Sequence, residues 1–204
     1  MPCPAGTWSN STTASQCTQC VAGKYNILVG QTNNTCLNCA DGYWSAAGLG
    51  VTCANQPCGT GYYCTGGSRV ACVAGKFSTA TTASSSSTCI YCDAGKYSTG
   101  SSSSCLNCAE GKYSTSVGLG SSQCTNCAAG HWSAAGQGLP CDQQCDIGYY
   151  CIGGTKTACP TGSTTASTGS TSVNQCLYLC SSSDGTGCCQ SRVLIATTVT
   201  SIGI

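Results

Sequence analysis

The sequence predicts a small disulfide-rich fold, mostly irregular with short β-hairpins, drawn out as an elongated tandem-repeat rod. Three observations carry this reading. Cysteine fills 23 of 204 positions, above the roughly 8–10% that marks a disulfide scaffold. Large apolar residues are scarce, with one Phe and one Met. Cysteine and alanine supply much of the 41% hydrophobic content, and neither brings the buried area of a Leu or Phe. Finally, one short motif recurs along nearly the whole chain.

That motif is a cysteine, two residues, a glycine, one residue and an aromatic. It reads CPAGTW from Cys3, CVAGKY from Cys20, CADGYW from Cys39, CVAGKF from Cys72, CDAGKY from Cys92, CAEGKY from Cys108 and CAAGHW from Cys127. An eighth copy, CPTGST from Cys159, has Thr164 in place of the aromatic. Each start is followed by a Ser/Thr/Gly-rich loop and another cysteine, usually two residues before the next start. Two copies carry an insertion with matching text, GYYCTGG from Gly61 and GYYCIGG from Gly148. Cys39 and Cys127 stand 88 residues apart, as do Cys20 and Cys108. The chain is thus a duplicated four-unit block, residues 3–91 and 92–180, with a tail over 181–204. Repeats of this kind contact mainly their neighbours and extend with the number of units.

Taken in order, the elements are short. The GKYS segments are expected to serve as short strands, and SAAGLG, TGSSSS and STGST are turn and loop material. No apolar stripe at helical spacing occurs before residue 192. The motif glycine lets the chain turn with φ > 0 or approach a neighbour closely. The aromatics Trp8, Tyr25, Trp44, Phe77, Tyr97, Tyr113 and Trp132 are expected to cover a cystine and give each unit a miniature core. Stacking on carbohydrate is the alternative role for Trp44 and Trp132. Lys24, Lys76, Lys96 and Lys112 are expected to point outward. The tail SRVLIATTVTSIGI, Ser191 to Ile204, alternates branched apolar and small polar residues and reads as a β-strand. It either begins another domain or adds to a neighbouring subunit's sheet.

The cysteines admit three uses. In an oxidising compartment, units without cores are stapled by cystines. A sequential rule pairs Cys3 with Cys17, Cys20 with Cys36, Cys39 with Cys53, Cys58 with Cys64 and Cys72 with Cys89. In the second block it pairs Cys92 with Cys105, Cys108 with Cys124, Cys127 with Cys141, Cys145 with Cys151 and Cys159 with Cys176. Closing a loop of about 15 residues contributes about 3 kcal/mol in the chain-entropy account, so many such loops can replace a missing core. Spacing alone does not fix connectivity. CxxC pairs also resemble zinc ribbons, but a ribbon uses two pairs per metal, whereas this series is unbroken. A redox centre needs a βαβ setting to tune one thiol, and the pattern supplies none. Cys180, Cys188 and Cys189 remain, and three cysteines cannot all pair internally; one is expected to bridge to another chain.

Charge and composition narrow the function classes. Charged residues are 6% of the chain, with a net charge of +1, so the basic patch that nucleic acid requires is absent. No run of 18 apolar residues forms a membrane span. Met1-Pro2-Cys3 is not a secretory signal, and the chain is expected to be part of a longer secreted protein. His131 is the one histidine, too few for a catalytic triad or a histidine metal cluster. Asp41, Asp93, Glu110, Asp142, Asp146 and Asp184 are scattered, outside any calcium-loop pattern. No enzyme activity, metal or cofactor is expected. Asn10-Ser11-Thr12 and Asn33-Asn34-Thr35 are N-glycosylation sequons at Asn10 and Asn33. Ser84 to Thr88 and Ser101 to Ser104 are candidates for O-glycans.

The run of CxxGxY, a Ser/Thr/Gly loop and CxxCxxG, with GYYCTGG and GYYCIGG, resembles the ephrin-receptor-like cysteine-rich repeat, related in style to tumour necrosis factor receptor modules. The resemblance covers residues 3–180. It implies an extracellular protein whose cysteines are disulfides and which serves as a stalk, coat, adhesin or receptor ectodomain. The expected function is an extracellular structural glycoprotein, a stapled rod of a surface coat, stalk or flagellar-hair-like filament that self-associates head to tail. The alternative is a ligand-binding ectodomain of a cell-surface receptor or adhesin.

Overall fold

The structure is a computed structural model that describes residues 1–13 and 15–178. The leftover cysteines Cys180, Cys188 and Cys189, Asp184 and the whole 181–204 tail with its expected strand therefore lie outside the described residues.

The fold is disulfide-rich and almost without helix. Among the described residues there are nine two-stranded antiparallel sheets and three single-turn 3-10 helices, at Cys53–Asn55, Ser86–Thr88 and Val173–Gln175. Each hairpin grows from the motif itself. The backbone N–H two residues before the buried polar position closes an i to i+3 turn onto the carbonyl that follows the first cysteine: Lys24 to Val21, Lys76 to Val73, Lys112 to Ala109 and His131 to Ala128, each at 3.1 Å. The glycine falls at the third place of that turn, with φ of 85° at Gly23 and 83° at Gly75. This is the place where a type II turn demands positive φ. Two extended residues follow and pair with the two that precede the next unit: Lys24–Tyr25 with Leu37–Asn38, Lys76–Phe77 with Ile90–Tyr91, and Lys112–Tyr113 with Thr125–Asn126.

The structure contains ten such modules, two more than the eight motif copies. Cys58 and Cys145 head modules of their own, because CGTGYY and CDIGYY match the motif with Tyr63 and Tyr150 as the aromatic. Their hairpins are the longest of the two-stranded sheets, Tyr62–Thr65 with Ser68–Ala71 and Tyr149–Ile152 with Thr155–Ala158. The module headed by Cys39 closes through one isolated bridge, Tyr43 to Pro57.

The core is not aromatic. The seven motif aromatics are half-buried, and the interior is made of cystine and one small residue per module, six places after the first cysteine. That residue is Ser9, Asn26, Ser45, Cys64, Ser78, Ser98, Ser114, Ser133, Cys151 or Thr165, and every one is buried. Two-residue strands bring too little surface to cover an indole or phenol ring, whereas a serine is small enough to be buried and has a hydroxyl that the neighbouring backbone can satisfy. Its hydroxyl finds a partner on the module before it: Ser45 donates to the Lys24 carbonyl at 3.0 Å, Ser98 to Lys76 at 2.8 Å and Ser133 to Lys112 at 3.2 Å. No buried side-chain nitrogen or oxygen is left unpaired among the described residues, as a polar interior requires.

The chain divides into two compact units, Met1–Leu106 with Ser116–Gln123, and Asn107–Thr115 with Cys124–Ile204, the second described as far as Tyr178. This division does not coincide with the duplicated blocks.

Candidate functional site

Ten disulfides staple the modules, one in each. They join Cys3 to Cys17, Cys20 to Cys36, Cys39 to Cys53, Cys58 to Cys64, Cys72 to Cys89, Cys92 to Cys105, Cys108 to Cys124, Cys127 to Cys141, Cys145 to Cys151 and Cys159 to Cys176. In eight modules the bridge spans 13 to 17 residues, and in six of them the second cysteine directly precedes or opens the return strand. In the Cys58 and Cys145 modules it spans 6, because the partner has moved to the buried position that serine holds elsewhere. Each CxxC is therefore a joint between consecutive bridges.

At that joint the backbone does the binding. The motif glycine donates to the carbonyl of the buried residue in the next module: Gly6 to Asn26 at 2.6 Å, Gly23 to Ser45 at 3.0 Å, Gly75 to Ser98 at 2.7 Å and Gly111 to Ser133 at 3.0 Å. Its own carbonyl accepts from the next module's first cysteine, as Cys39 donates to Gly23 at 2.9 Å and Cys92 to Gly75 at 2.9 Å. The first cysteine's carbonyl is taken by an amide from the next module's loop, Gly48 to Cys20 at 2.8 Å and Ser101 to Cys72 at 3.0 Å.

Contacts also reach one module further than a neighbours-only array would allow. A Cβ built on Gly6, Gly42, Gly61, Gly75, Gly111 or Gly130 would stand closer than 3.0 Å to a backbone oxygen of the module after next. The glycine thus serves both of its expected purposes at once, a positive φ and a close approach. The modules headed by Cys3, Cys39, Cys58, Cys72, Cys108 and Cys127 are thus each approached by the module after next as well as by their neighbour.

The Cys58 and Cys145 modules have a second feature that the motif does not announce. With the closing cysteine moved, Arg69 and Lys156 stand at its usual place, three residues before the next module, directly across the hairpin from Cys64 and Cys151. Each lies against a tyrosine and a tryptophan. The Arg69 Cζ is 3.7 Å from the Tyr62 ring centroid and 5.7 Å from that of Trp44. The Lys156 Nζ is 4.5 Å from Tyr149 and 5.0 Å from Trp132, and it also pairs with Asp146. Such cation–aromatic contacts stabilise by about 0.5–1 kcal/mol when exposed. The signal was present in the sequence as the aligned pairs Tyr62 and Tyr149, Arg69 and Lys156.

The remaining expected positions are dispersed. Asn10 and Asn33 are exposed; the Thr35 hydroxyl of the second sequon accepts from Asn26 at 3.0 Å and donates to Gln31 at 3.1 Å. Ser84 to Ser87 are exposed. The His131 Nδ1 lies 3.2 Å from the Ala129 carbonyl oxygen. Asp41 accepts from the Gly66 N–H at 3.2 Å, and Asp93, Glu110 and Asp142 are exposed. Lys76 does not point straight outward: its Nζ sits 4.1 Å from the Tyr91 ring centroid. Among the described residues no three His, Cys, Asp or Glu side chains are grouped to hold a metal ion, and no helix is long and apolar enough to cross a membrane. No family model matches the chain, and no curated protein matches it.

Proposed function

We propose that the chain is an extracellular structural glycoprotein, a disulfide-stapled repeat array forming part of a surface coat, stalk or filament, with no catalytic role. Its modules are of the ephrin-receptor-like kind, it acts outside the cell, and it carries N-glycans at Asn10 and Asn33. The dense disulfides fit an extracellular cysteine-rich protein, since cystines persist in oxidising compartments.

The observation that carries the reading is the joint. The same main-chain contact recurs within each compact unit, where the next module's first cysteine donates to the motif glycine's carbonyl, as Cys20 does to Gly6, Cys72 to Gly61 and Cys159 to Gly148, each at 2.8 Å, a head-to-tail contact of the type that adds units without closing on itself. Mechanically, such an array resists extension through bridged loops and a polar interior in place of an apolar core.

Negative-stain microscopy of the native material, with and without a thiol reductant, tests the proposal. Regular fibrils or a layered coat that fall apart on reduction are expected. Dispersed monomers that saturate with a soluble ligand would point instead to the ectodomain of a receptor or adhesin.

A further inference from the structure

The two cation–aromatic clamps are copies of one another, yet only one is electrically complete. In the second block, Lys156 lies between Trp132 and Tyr149 and is paired with Asp146, the residue directly after the module's first cysteine. In the first block that place belongs to Gly59. A Cβ on Gly59 would meet the Arg69 Nη2 at 3.0 Å, so the guanidinium lies over bare backbone where its counterpart has a carboxylate.

Arg69 is exposed and pairs with no acid among the described residues. The Asp41 carboxylate of the preceding module is engaged with the Gly66 amide of the Arg69 hairpin. The flat face of the guanidinium is taken up by Tyr62 at 3.7 Å, which fixes the plane of the group and leaves its N–H fork free along the edge. A fixed fork is what bidentate recognition of a carboxylate needs. The half-buried indole of Trp44 beside it supplies an apolar ring face suited to the C–H face of a sugar.

We propose that Arg69, Tyr62 and Trp44 form a binding site for the carboxylate of an acidic saccharide, and that Asp146 fills the corresponding place in the second block with the chain's own carboxylate. One site per chain follows. A polyanionic peptide or nucleic acid gains little here, because the chain has seven basic residues against six acidic ones and so offers no extended track of charge. A single uronate ring gains both the fork and the ring face. The inference goes beyond the structural role and stands or falls separately from it.

Titration of the full chain with a galacturonate oligosaccharide, followed by calorimetry and tryptophan fluorescence, tests it. Wild type is expected to bind one equivalent and the neutral galactose oligosaccharide of equal length not to bind. Arg69→Gln is expected to weaken binding at least about tenfold, and Arg69→Lys, which keeps the charge but loses the fork, to fall between. Asp146→Asn frees Lys156 and is expected to add a second site of about the affinity of the Arg69→Lys variant, since a lysine lacks the fork. Unchanged binding by Arg69→Gln, equal binding of the neutral oligosaccharide, or equal Arg69-dependent binding of a poly-glutamate peptide would each overturn the proposal.

Discussion

Gly75 lies so closely against the Gly118 backbone that it has no room for a side chain: a Cβ on Gly75 would stand under 3.0 Å from the Gly118 carbonyl oxygen. Gly75 also has a φ of 83° and donates to the Ser98 carbonyl at 2.7 Å. Gly75→Ala therefore meets a backbone atom that cannot step aside, and is expected to destabilise by about 3 kcal/mol or more. Gly66→Ala is the control. Gly66 has a φ of 56° and nothing within 4 Å of its would-be Cβ, so only the conformational penalty of about 1–2 kcal/mol applies. Denaturant midpoints of the two variants, compared with wild type, check the difference.

Ser98 is 1% exposed, donates to the Lys76 carbonyl at 2.8 Å and accepts from the Gly100 N–H at 3.1 Å. Ser98→Ala leaves both backbone groups without that partner and is expected to cost about 1–3 kcal/mol. Amide exchange should quicken at Gly100 and across the Gly75 joint before it does elsewhere.

The Cys58–Cys64 bridge closes a separation of 6 residues and the Cys72–Cys89 bridge one of 17. Loop entropy then makes the longer bridge more stabilising by about 1 kcal/mol. Replacing both cysteines of each pair by alanine, one pair at a time, and measuring thermal unfolding should rank the Cys72–Cys89 variant as the less stable.

Proteolytic mapping without reduction should link Cys124 to Cys108 and Cys127 to Cys141. A peptide bridging Cys124 to Cys127, or a mass increment of zinc with free thiols, would contradict both the bridges and the polar core built on them.

Expression in a glycosylating host is expected to add one glycan at each of Asn10 and Asn33. Asn10→Gln and Asn33→Gln should each lower the mass by one glycan, with folding unchanged, since both side chains are exposed.

Much of this architecture was legible in the cysteine spacing, because a cysteine, a turn glycine and two extended residues fix a hairpin locally. The Cys58 and Cys145 modules were not, since their closing cysteine sits where serine is usual and so reads as part of an insertion. The aromatics at Tyr63 and Tyr150, at the standard offset, were the available signal. Nor could the interior be read correctly from residue size. Burial of Ser78 and Ser98 in preference to Phe77 and Tyr97 follows from how little area a two-residue strand covers, which hydropathy does not encode. The glycine announced a close approach at Gly75 but not its partner, because Gly118 arrives from the module after next.

Because the joints described above rest largely on main-chain amides and carbonyls, their specificity hardly depends on which side chains decorate the loops. Unequal recombination between CxxC segments can therefore lengthen or shorten the gene product by whole modules and leave every seam chemically matched. The five-module stretch headed by Cys3 and repeated from Cys92 has the form that such freedom permits, and loop sequences can drift under selection for recognition without endangering the scaffold that displays them.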